Sequence, residues 1–140
     1  MAAVKHANSQ IYVSGKRKTA VAKIRLVDGT GKVFYNGLPV ESLSLFHKLA
    51  LLEPVRIYEK EMGAVKKDMF ITTVGGGKEG QIQAARLSIA KAFVKLTSSD
   101  TLRKAYILYD RNIIVPDARR KETRKPGDSK ARAKRQKSYR

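Results

Sequence analysis

The sequence predicts an α+β fold, a two-layer sandwich of a mixed or antiparallel sheet with helices. Three observations predict it. Residues 19–27 alternate, with Ala20, Ala22, Ile24 and Leu26 on one side and Lys23 and Arg25 on the other, the period of a half-buried strand. Asn36-Gly37 stands between apolar residues, and both tolerate the positive φ of a tight hairpin. Residues 81–96 carry Ile82, Ala85, Ile89, Ala92, Phe93 and Leu96 at helical spacing, which is one apolar stripe. The expected order is β-β-β-α-β-α-α and then a tail. Early hairpins with helices grouped later argue against a doubly wound parallel sheet.

Each element follows from its own residues. Residues 1–10 read as a loose polar start, and residues 11–14 as a short apolar run. Gly15-Lys16-Arg17-Lys18 follows, a glycine with three consecutive cations. Asp28-Gly29-Thr30-Gly31 is a turn, and residues 32–35 a second strand. Pro39 keeps the short strand after the hairpin off a central position. Leu45, Phe46, Leu49 and Leu52 predict a helix over residues 42–52, limited by Pro54. Residues 55–67 predict a mixture of loop and short helix. Residues 69–74 are β-branched and apolar and predict a strand. A last helix is expected over 100–109, with Ser98 or Ser99 as N-cap and Asp100 in the first turn. Residues 113–115 are a final apolar run, and Pro116 opens the tail.

The 140 residues carry 30 Lys and Arg against 12 Asp and Glu, a net charge of +18. Such a chain repels itself and calls for a polyanionic partner, nucleic acid before a membrane surface. The charge is uneven. Residues 118–140 hold 11 basic and two acidic side chains, a net of +9, and the other 117 residues also hold +9. This divides the chain into a flexible start (1–10), a domain (11–116) and a basic tail (117–140). Without cysteine there is no disulfide, thiolate nucleophile or Cys-based metal site. No apolar run approaches the roughly 18 residues of a membrane span, and the first ten residues lack the apolar stretch of a secretory signal. A soluble, cytoplasmic protein is the expectation.

Gly75, Gly77 and Gly80 fit G-x-G-x-x-G between an expected strand and an expected helix. In that place a dinucleotide fingerprint is one reading. The following helix leads to another helix rather than a parallel strand, and no Lys-Ser or Lys-Thr pair closes a Walker loop. A tight strand-to-helix turn is a second reading. Capture of RNA phosphates by the same amides and Lys78 is a third, since the physics of anion capture is shared. His6 and His47 lie far apart and the carboxylates are scattered singly, so no catalytic or metal constellation emerges and no cofactor is expected. Lys16, Arg17 and Lys18 suit phosphate contact or a solvated turn, and the Lys23–Arg25 face leaves the same two readings open. Tyr12, Tyr35, Tyr58, Tyr106 and Tyr109 have base stacking as one reading, and core or half-buried packing is the expectation for each. Tyr139, set between Lys137 and Arg140, has no core to join and suits base stacking.

The motifs together resemble a family. Gly15-Lys16-Arg17-Lys18-Thr19-Ala20, the Val33–Pro39 segment with Asn36-Gly37, Leu52-Glu53-Pro54, and Val74–Gln81 followed by Ala84-Ala85-Arg86 and Ile89-Ala90-Lys91-Ala92 stand in the order of its motifs. So do Tyr109-Asp110-Arg111, Asp117-Ala118-Arg119-Arg120 and the closing RQKSYR. The chain resembles the universal small-subunit ribosomal protein nine family, called ribosomal protein sixteen in older eukaryotic naming, and its ending is similar to archaeal and eukaryotic members. The resemblance implies the ribosomal-S5-domain-2-like two-layer sandwich. It implies a non-enzymatic constituent of the head of the small subunit, bound to the 3′ major domain of ribosomal RNA beside neighbouring ribosomal proteins. Its tail would reach the anticodon stem-loop of transfer RNA in the peptidyl site. Carried over residue by residue, Lys16, Arg17, Lys18, Lys78, Arg119, Arg120, Lys121, Arg124, Lys130, Arg132, Lys134 and Arg135 would hold ribosomal RNA. Lys137, Ser138, Tyr139 and Arg140 would approach transfer RNA. Two other classes stay open: a small-molecule kinase-like enzyme on the glycine loop, and a free-standing basic RNA-binding regulator.

Overall fold

A computed structural model describes residues 10–127, 130–133 and 138. The expected flexible start (1–10) falls outside it except for Gln10. Five strands form one sheet: β1 (Ile11–Arg17), β2 (Ala20–Asp28), β3 (Val33–Tyr35), β4 (Leu38–Pro39) and β5 (Lys67–Val74). Their order across the sheet is β1-β2-β5-β3-β4. β1 and β5 flank β2 antiparallel, β4 pairs antiparallel with β3, and β3 runs parallel to β5. The sheet is therefore mixed. The parallel pair is connected through α1 (Leu45–Met62), as a parallel crossover requires. Helices α2 (Lys78–Thr97) and α3 (Asp100–Tyr109) follow β5. The architecture is α+β with two layers.

Alternation builds the inner face. Ala20, Ala22, Ile24 and Leu26 of β2 and Met69 and Ile71 of β5 are all buried, and α2 lies against them with Ile82, Ala85, Ile89 and Phe93. The short side chains of β2 and α2 let helix and sheet approach closely. Gly15 marks the tightest point: a Cβ there would stand 2.3 Å from the Ala84 carbonyl oxygen, so only glycine fits. The solvated turn that was one reading of residues 16–18 is shorter than that segment. Gly15, Lys16 and Arg17 belong to β1, and the turn itself falls on Lys18-Thr19, with Lys18 at φ 52°.

Helix α1 corrects two further expectations. Pro54 does not stop it. The helix runs to Met62, taking in most of the segment read as loop, and closes on Gly63 at φ 89°. Pro54 is buried and its carbonyl accepts a 2.7 Å hydrogen bond from the Tyr106 hydroxyl on α3. Tertiary packing thus outweighs the missing amide, whose loss alone disfavours an interior proline. The buried face is Leu51, Pro54 and Val55, with Tyr58 stacked on Phe93 at 4.4 Å. Leu45 and Phe46, expected on that face, are 65% and 82% exposed. The stripe was misplaced because Leu45–Leu52 holds apolar residues on more than one side. The Ser99 N-cap of α3 forms as expected, its hydroxyl accepting from the Leu102 amide.

Candidate nucleic-acid interface

Two turns meet at one end of the sheet. The β1–β2 turn carries Lys18, and the β5–α2 turn carries Gly75-Gly76-Gly77 and leads into Lys78. They pack directly: Gly76, at φ 67°, lies so close to Ala20 that a Cβ would stand 2.9 Å from the Ala20 Cβ. Lys18 and Lys78 consequently line one cleft, floored by the glycine backbone. Neither lysine forms a hydrogen bond or ion pair with any described residue. Helix α2 begins at Gly77 without a side-chain cap, so its first amides and the positive end of its dipole face the same cleft. Gln81 holds the turn from below, donating to the Gly75 carbonyl at 3.0 Å. Asn36 braces the neighbouring strand: its side chain accepts from the Thr73 amide at 2.8 Å and donates to the Thr73 hydroxyl at 3.0 Å. An anion is what this geometry can take, on lysines and amides together.

The tail leaves the domain at this same end, and the reason is Asp117. Its carboxylate accepts from the Arg17 guanidinium, from Arg119 Nε at 2.9 Å and from the Arg119 amide at 2.8 Å. These donors, the Arg119 guanidinium foremost, hold the Asp117 carboxyl well below the usual carboxylate range. Arg17 also donates to Gln83 on α2 at 2.8 Å. Arg17 is thereby a strap between β1, α2 and the start of the tail. Beside it Arg86 bridges Glu53 at 2.5 Å and Asp110 at 3.1 Å, tying α2 to α1 and to the segment after α3.

The expected RNA-binding residues therefore separate into two groups. Lys16, Lys18, Lys78, Lys121, Arg124 and Lys130 are exposed and pair with no described residue. Arg17 and Arg119 are engaged by Asp117, Arg120 donates to the Asp117 and Arg119 carbonyls, and Arg132 pairs with Glu122 at 2.6 Å. Ser138 is exposed. Lys134, Arg135, Lys137, Tyr139 and Arg140 lie outside the described residues. His47, expected at the core margin, sits there with Nε2 2.7 Å from Glu79 Oε1. Asp117 was missed as a clasp, since no periodicity marks an aspartate that pairs with an arginine 100 positions away. Tyr12 and Tyr109, expected to pack, are 60% and 59% exposed. Tyr109 touches the domain mainly through its hydroxyl, which donates to Glu53.

Among the described residues no group of three or more His, Cys, Asp or Glu side chains is placed to hold a metal ion, and no helix is long and apolar enough to cross a membrane.

The sequence is similar to known proteins. The profile of the family described as ribosomal protein S9/S16 matches residues 15–140. The small ribosomal subunit protein uS9 of Methanococcus vannielii is 38% identical over 133 residues, covering 93% of this chain and 98% of its own. That of Methanothrix thermoacetophila is 38% identical over 128 residues, covering 91% and 96%. The match spans both basic turns, the clasp and the tail, and the chain belongs to the ribosomal protein S9/S16 family.

Proposed function

We propose that this chain is a structural, non-enzymatic constituent of the small ribosomal subunit in the cytoplasm, and that it works by neutralising and positioning RNA. One observation carries the reading: Lys18, Lys78, the open end of α2 and the exit of the tail converge at one end of a domain of this family. In this reading the Lys18–Lys78 cleft holds phosphates of ribosomal RNA, helped by Lys16. The tail, 117–140, continues the contact with Arg120, Lys121, Arg124, Lys130, Lys134 and Arg135. It has almost no large apolar side chains to bury, so its order comes from RNA rather than from a core of its own. Each Lys or Arg that meets a phosphate releases counterions. The last residues, Lys137, Ser138, Tyr139 and Arg140, reach toward the anticodon stem-loop of transfer RNA in the peptidyl site. Contact there is to phosphates rather than base edges, so transfer RNAs of any sequence are held alike.

The glycine turn supports phosphate contact over a nucleotide cofactor. After it, α2 leads to α3 and not to a second parallel strand, so the ribose-binding carboxylate of a dinucleotide fold has no strand end to stand on.

The test is deletion of Lys137–Arg140 in the intact ribosome. Assembly of the small subunit should be nearly unchanged while retention of transfer RNA at the peptidyl site weakens. Equal retention by deleted and intact subunits removes the transfer-RNA contact from the proposal.

A further inference from the structure

The outer face of the sheet carries a row that the function above does not use. Tyr12 pairs in register with Arg25, Arg25 with Phe70, and Phe70 with Phe34. The row crosses β1, β2, β5 and β3 without a break. The Arg25 guanidinium lies 5.0 Å from the centre of the Phe70 ring, and Phe70 stacks on Phe34 at 5.0 Å with 5° between the planes. Lys23 and Thr72 stand beside it in the next pair.

Cross-strand aromatic pairs stabilise sheets by themselves, and Phe34–Phe70 does so here. Three features leave room for a partner. Tyr12 is 60% exposed at one end of the row. Gly37, beside Phe34 at the other end, leaves open space where a side chain would stand, since a Cβ there would meet nothing within 4 Å. Lys23 pairs with no described residue. Asp68, the carboxylate that β5 contributes to this face, is already occupied: its Oδ1 accepts from the amides of Thr30, Gly31 and Lys32 at 2.8, 3.0 and 3.0 Å, and the Lys32 amide leads in holding its pKa below the ordinary value. What remains on this face is aromatic and cationic, with Tyr12, Lys23 and Arg25 exposed and Phe34 and Phe70 half-buried.

We propose that this face binds unpaired nucleobases of RNA, which add to the Tyr12–Arg25–Phe70–Phe34 row while Lys23 and Arg25 meet the flanking phosphates. Rings and guanidinium planes are the groups on which splayed-out bases stack, and the positive charge selects a nucleic acid over an apolar protein surface. The inference rests on the RNA-binding reading above and gives it a second contact surface, separate from the basic turns.

The experiment compares two probes on the full chain: oligouridylate of about eight nucleotides, and an abasic oligomer with the same backbone and charge. Bases that stack should make the first bind about tenfold tighter. Tyr12→Ala with Phe34→Leu should erase that preference and leave the salt slope unchanged, while Tyr12→Phe, which keeps the ring, should retain it. Circular dichroism of each variant confirms an intact fold. Equal binding of the two probes by the native chain would overturn the inference and leave phosphate binding standing. A preference that survives in the double variant would overturn it too, by placing the stacking on another ring. Binding of neither probe would sink the RNA reading as a whole. In assembled subunits, a photoreactive phenylalanine in place of Tyr12 should crosslink to RNA; crosslinks to protein alone would give this face to a protein neighbour.

Discussion

The first 117 residues and the last 23 carry the same net charge, +9 each. They hold it in opposite ways. In the domain, hydrophobic packing comes first and fixes where each charge stands: Lys18 and Lys78 meet because Gly76 seats one turn on the other. Among the described residues of the tail, the main tie to the domain is the clasp of Asp117 on Arg17. The difference teaches that burial gives position and its absence gives reach. A domain can present a rigid patch, and only an unpacked arm can follow an RNA groove away from it.

Breaking the packed half should have the largest effect. Phe93 is fully buried against Tyr58, and Phe93→Ala should cost about 3–5 kcal/mol of stability, read by urea unfolding. RNA binding by molecules still folded should change little. Breaking the unpacked half should do the reverse. Removing residues 118–140 should leave the unfolding midpoint nearly unchanged. It should lower affinity for a small-subunit RNA fragment and flatten the dependence on salt by roughly 0.7–0.9 for each phosphate that the shortened chain no longer neutralises. An unchanged slope would mean the tail is idle.

The joint between the halves gives smaller effects. Asp117→Asn takes away the negative charge that engages Arg17 and Arg119. Trypsin should then cut faster after Arg119 and Arg120, while the unfolding midpoint barely moves. Acid should act in the same direction. The Asp68 and Asp117 carboxyls are both depressed, by the Lys32 amide and the Arg119 guanidinium respectively. Their contribution is complete above the ordinary Asp value of about 3.9. It is lost as the pH falls from there through the lower folded values. Stability should therefore decline below about pH 4, and Asp68→Asn should decline less steeply over the same range. The smallest effect belongs to Tyr106→Phe, which removes the buried hydrogen bond to the Pro54 carbonyl and should cost about 1 kcal/mol.

The parts legible in the sequence are those with a local physical signature. The alternation of β2, the Asn36-Gly37 turn, the stripe of α2 and the Ser99 cap depend on neighbours within a few residues, and all four stand in the structure. Features set by distant partners were not legible. Pro54 stays inside α1, where it is buried and its carbonyl accepts from Tyr106, 52 residues away. Nothing near Gly15 in the sequence marks it as the contact point for α2, which it is. The same limit applies to the site. Charge counting picked out Lys18, Lys78 and the tail as candidates, which need only be basic. It did not find that Arg17 and Arg119 are engaged by one aspartate, nor that Tyr12, Arg25, Phe70 and Phe34 form a single row. That row exists only once register aligns four strands from distant parts of the chain.

The central claim is that this chain holds ribosomal RNA with its domain and reaches transfer RNA with its tail. Ultraviolet crosslinking in intact cells, with sequencing of the attached RNA, tests it most directly. The account predicts crosslinks concentrated in the 3′ major domain of small-subunit ribosomal RNA, with tail peptides joined to anticodon stems of transfer RNA. Crosslinks scattered over messenger RNAs, or none while the isolated chain binds a nucleotide at Gly75–Gly80, would contradict it.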